Sequence, residues 1–188
     1  MADAPDPGLK IGPRDTTIAF IQQLTIGLHH YVLARAALHA SYNRPALMLS
    51  QQAIELLIKA IHRLENETPP NDHQLIRLIK NVKAPAPAYF EEILADGPKY
   101  EFLQLLSDAY LEPRYGEAGL EIRSGAILQN LDEIVFCLRK TWAEKIKWTR
   151  TPQIYVPVWL REPFLRDNRH FGSDDVTDNF MAVLLPLA

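Results

Sequence analysis

The sequence predicts an all-α fold, an up-and-down bundle of four to five helices carrying an irregular C-terminal extension, on three observations. Apolar residues recur at helical spacing, not in alternation, from Thr16 to about Lys147. Prolines at 45, 69, 70, 85, 87, 98 and 113 cut that region into pieces of helix length. One piece, Asn43 to Leu64, is apolar over roughly 200° of its circumference, so it needs neighbours on several sides.

The totals fit one domain with an appendage. The chain has 188 residues, 47% of them hydrophobic, and a net charge of -3. That excludes disorder driven by composition and a globally basic surface for wrapping nucleic acid. The single Cys137 makes no internal disulfide and no cysteine zinc cluster, which predicts a reducing, cytoplasmic location. The start, MADAPDPGLKIGPRD, has no apolar stretch of the signal-peptide kind, and no run approaches the ~18 apolar residues of a membrane span. The expectation is a soluble protein with no membrane partner.

Residues 1–14, with three prolines and two glycines, predict a loose arm ahead of a helical bundle over 15–149. The first helix, Thr16 to about Ala40, places Ile21, Leu24, Leu28, Tyr31 or Val32 and Ala36 on one side, with Asp15 or Thr16 as its cap. Asn43 ahead of Pro45 starts the second helix, because proline in a first turn sacrifices no hydrogen bond. On its wheel Leu47, Ile54, Leu57, Ile61 and Leu64 cluster, and Gln52, Glu55, Lys59 and His62 form an opposite strip read as its one exposed edge. Glu55 precedes Lys59 by four residues, the favourable order for an ion pair of ~0.3–0.5 kcal/mol.

Thr68-Pro69-Pro70 ends that helix, and Asn71 or Asp72 caps a short third one built on Leu75, Leu78, Ile79 and Val82. Two further pieces, Tyr89–Ala95 and Lys99–Leu111, flank Asp96-Gly97-Pro98. Glu112 to Gly116 turns the chain into a long helix, Gly119 to Lys147, with Ile127, Leu131, Ile134, Leu138 and Trp142 inward and Cys137 beside them as a small buried hydrophobe. Residues 150–188 form the extension. Its QIYVPVWL stretch is β-branched and aromatic, but Pro157 confines any strand there to an edge. The apolar end, MAVLLPLA, is expected to lie over the bundle or a partner subunit.

Three stretches in this order resemble the HEPN domain family over residues 16 to about 147. Gln51-Gln52-Ala53-Ile54-Glu55 with Lys59-Ala60 resembles the family's glutamine-alanine-glutamate and lysine-alanine helix. His73-Gln74-Leu75 with Leu78-Ile79 resembles its histidine-led helix start, and Tyr110 with Arg114-Tyr115 its arginine-tyrosine turn. The resemblance implies a commonly dimeric bundle that binds a nucleotide or a protein partner such as a minimal nucleotidyltransferase, or that cleaves RNA.

The candidate site residues are Arg114, Tyr115, His73 and Lys59. A guanidinium can grip a phosphate while a tyrosine ring stacks on a base, and Lys59 and His73 can meet an anion. The bland alternatives are an Arg114 paired with Glu112 or Glu117, a His73 bonded to a carbonyl, and a solvated Lys59. The family's ribonucleases use an arginine followed by four to six residues and a histidine. Here Arg35 to His39 and Arg166 to His170 each enclose three residues and Arg63 to His73 encloses nine, so a toxin or defence ribonuclease is one alternative to the first reading, and a helical dimerisation scaffold with no small ligand is another. Arg139 to Arg150 holds five basic residues against one acid with Trp142 and Trp148 interleaved, a pattern shared by nucleic-acid strips and ordinary helix C-termini. No phosphate loop, GxSxG or HExxH occurs, and no cofactor or metal is expected.

Overall fold

In a computed structural model the described residues are 14–65, 67–82, 88–111, 124–145, 167, 168 and 170. They form six helices and, among them, no strand: α1 Arg14–His39, α2 Asn43–Leu64, α3 Leu75–Lys80, α4 Ala88–Ala95, α5 Gly97–Leu111 and α6 Ser124–Lys145. The fold is the all-α bundle the spacing predicts. The stretch QIYVPVWL lies outside the described residues.

The central position predicted for α2 holds. It packs on α1, α3, α5 and α6, and Ile54, Leu57, Ile58 and Ile61 are fully buried. α1 and α2 form an antiparallel hairpin whose tight contact depends on Gly27. A Cβ there would lie 3.1 Å from Leu57 Cγ and Cδ2 and 3.2 Å from Leu56 Cβ, so the bare glycine lets the two helices close. The turn between them bends at Ser41, which takes a left-handed φ of 62°. Asn43 is the first helical residue and Pro45 sits in the first turn of α2, both as expected. Tyr42 takes the cap position without a side-chain bond, its carbonyl receiving the Ala46 amide at 3.0 Å.

Asp72 orders the approach to α3 from two residues ahead of the cap position, which Gln74 takes. Its Oδ1 accepts from the backbone amides of His73 (2.8 Å) and Gln74 (2.9 Å). The first α3 amide, Leu75 N, donates instead to Ser107 Oγ on α5 at 3.2 Å, which ties α3 to α5. On α6 the inward residues are those the stripe predicts, Ile127 to Trp142, with Cys137 buried among them. Burial, then the nearby Glu92 carboxylate, raises the Cys137 pKa, which keeps it a thiol.

Candidate functional site

The strip of α2 predicted to be its wet edge is largely covered. Glu55 and His62 are buried, and Lys59 is only 13% exposed at its side chain. The cover is the segment from Glu67 to α3. His62 faces Glu67 Oε2 through Nδ1 (2.8 Å) and the Leu78 carbonyl through Nε2 (3.1 Å), so one imidazole joins α2, the loop and α3. Sequence reasoning placed this residue outside because a wheel counts polarity. It cannot see a return segment that supplies acceptors.

Two of the four candidate residues meet at one carboxylate. Glu55 accepts from Gln51 Nε2 (2.7 Å), from Lys59 Nζ (2.7 Å), and from His73 Nδ1, which lies 3.1 Å from both its oxygens. The spacing of Gln51, Glu55 and Lys59, four residues apart each time, stacks them on one face of α2. His73 comes from 18 residues away, held by the Asp72 turn and by Gln51 Nε2 donating to its carbonyl at 3.3 Å. Burial pushes the Glu55 pKa up, but donation from Lys59, Gln51 and His73, with the charge of Lys59, outweighs it and sets the carboxyl below its ordinary range. Gln51 is fully buried while His73 is 46% exposed, so the network runs from the core to the surface. Arg114 and Tyr115 lie outside the described residues.

A second polar cluster was missed as such. Tyr31 and Arg35 of α1 reach Asp132 of α6 through the buried Arg35 guanidinium, which pairs with Asp132 Oδ2, and the Tyr31 hydroxyl, which donates to Oδ1 at 2.7 Å. Asn168 Nδ2 donates to the Tyr31 oxygen at 3.1 Å. Burial raises the Asp132 pKa in spite of Arg35 and raises that of Tyr31 well above 10, so the phenol stays a donor. Next to it His170 stacks on Phe136, with ring centroids 4.3 Å apart, and its Nε2 lies 3.4 Å from Glu133 Oε1. The only advance sign was a lone charge, Arg35, in a helix otherwise free of charge from Ile18 onward. The arginine that opens the Arg35–His39 spacing is therefore engaged in the core. Arg139 and Trp142 are buried too, so the basic and aromatic strip is not laid out on the surface at its start.

The helix order and the enclosed α2 define an all-α helical bundle. The family model described as HEPN domain matches residues 24–141, and the chain belongs to the HEPN domain family. No curated protein and no solved structure is significantly similar to it.

Proposed function

We propose that this HEPN domain is a binding module which works as a homodimer and docks a protein partner, a cognate nucleotidyltransferase being the first candidate, through the surface end of the Glu55 network. The observation that carries it is the meeting of Lys59 and His73 on one ionised carboxylate, with His73 half-exposed at the rim. The charges there are already balanced, which suits a polar rim contact with a protein. A free phosphate would first have to displace Glu55 from Lys59. A nucleotide is the second reading, favoured by a cation and an imidazole converging on one spot, with Arg114 and Tyr115 as its further contacts. The setting proposed is cytoplasmic, and no described helix is long and apolar enough to cross a membrane.

Co-expression with a nucleotidyltransferase encoded beside this chain is expected to give a copurifying complex that is lost in His73→Asp and Lys59→Glu. Failure of the wild-type pair to copurify, together with ATP and GTP raising the melting temperature by several degrees only when Lys59 is present, would move the reading to the nucleotide. RNA degradation by the chain alone, lost in Arg114→Ala, would replace both with the ribonuclease.

A further inference from the structure

α1 from Ile18 to His39 contains one formally charged residue, Arg35, and that one is buried against Asp132. Its outward side therefore carries no formal charge over 22 residues. Surface helices of monomeric domains commonly turn charged groups to water, whereas the exposed polar residue here, Gln22, is uncharged. Here Ile18 is 49% and Ile26 47% exposed, with Leu33 half-buried about two turns beyond Ile26. The same surface continues across the hairpin. Pro45, Met48, Gln52 and Leu56 lie on one side of α2 at spacings of three, four and four, and Met48 is 37% exposed. Leu56 packs against α1 at Gly27, the residue after Ile26. Formal charge on this side of α2 stands towards its two ends, Arg44 in the first turn, one turn before Met48, and Lys59 and Arg63 in the second half.

We infer that this α1/α2 face, centred on Ile26, Leu33, Met48 and Leu56, is where a second copy of the chain docks. The assignment rests on the homodimer reading above and says which surface makes the dimer. Two features select a second copy as the occupant. A two-fold interface sets a patch against itself, so any charge near its centre meets its own like; here Arg44 stands at the rim, in the first turn of α2, and between Met48 and Leu56 the one formal charge is the buried Glu55. Its size also suits. About 20 residues of helix at 1.5 Å each, two helices wide at roughly 10 Å apiece, give about 600 Å², approaching the about 800 Å² per partner of a standard interface.

The test is the solution mass of the full chain by light scattering after gel filtration, with variants at two exposed apolar sites of the patch, one on each helix. Wild type is expected at twice 21.4 kDa. Ile26→Lys and Met48→Lys are expected at the monomer mass under the same loading, with helical circular dichroism unchanged. Arg77→Glu, exposed on α3 away from the patch, is expected to remain dimeric. A wild-type monomer would overturn the homodimer and this face together. A dimer that survives both lysine variants would overturn the face and leave the homodimer standing. Should a lysine variant lose its fold, Ile26→Cys decides: a short bis-maleimide is expected to link two chains through it and not through Arg77→Cys, and equal linking by both would overturn the assignment.

Discussion

At the scale of single residues the two polar clusters respond to pH and mutation in opposite ways. The Glu55 carboxyl titrates below its ordinary value in the fold, so folding favours its ionised form. Its contribution is fully present above the unfolded value near 4.5 and is lost as the pH falls through the lower folded value. Glu55→Gln is therefore expected to flatten the acid side of the stability profile measured by urea unfolding between pH 6 and pH 3, while a wild-type profile that is already flat there would contradict it. Asp132 has the reverse sign, because burial raises its pKa and folding disfavours its charge, leaving Arg35 as the reason the carboxylate is tolerated. Removing one partner of such a buried pair strands the other, so Asp132→Ala is expected to cost about 3–5 kcal/mol. The double change Arg35→Met with Asp132→Leu should recover most of that loss in the same unfolding experiment. A double variant as unstable as the single one would mean the pair contributes more than mutual neutralisation.

Among the elements, α1 and α2 set the architecture, and what the sequence discloses of them divides along a physical line. Burial periodicity is local and additive, so the inward faces of α2 and α6, from Leu47 to Ile61 and from Ile127 to Trp142, were legible residue by residue. The enclosure of His62 and Glu55 was not, since it depends on Glu67 and the Leu78 carbonyl, which return to α2 through a proline loop that no wheel represents. His73 and Lys59 were legible as candidates from their motif, whereas their shared partner Glu55 was taken only for an ion pair with Lys59. Gly27 belongs with the hidden features, because a glycine inside a helix looks like a weakness until the neighbouring helix is in place. Helix propensity alone predicts that replacing it gains about 1 kcal/mol. The contact with Leu57, which is fully buried and cannot yield, argues the other sign. Gly27→Val is expected to destabilise by about 1–3 kcal/mol in thermal or urea unfolding. A gain in stability would show that the hairpin has slack between α1 and α2.

For the whole molecule the significant bond is the longest in sequence among the described residues. Asn168 donates to Tyr31 across 137 residues, and Tyr31 in turn donates to Asp132, so the first long helix, the last long helix and the C-terminal segment share one buried polar junction. His170 reinforces it from the other side by stacking on Phe136 and approaching Glu133, which also lies 4.0 Å from Lys99 of α5. Such a junction links elements that unfold separately in many helical bundles, because loss of the C-terminal contact leaves a buried phenol oxygen short of a donor. The consequence is measurable as coupling rather than as a single loss. Tyr31→Phe and Asn168→Ala, combined in a double-mutant cycle, are expected to show an interaction energy of about 0.5–1.5 kcal/mol, in the sense that either change alone removes most of what both remove. Hydrogen exchange on the same variants is expected to accelerate in α1 near Tyr31 and in α6 near Asp132 together. Additive energies, with exchange altered in α1 alone, would instead make residues 167–170 a surface contact with no hold on the bundle.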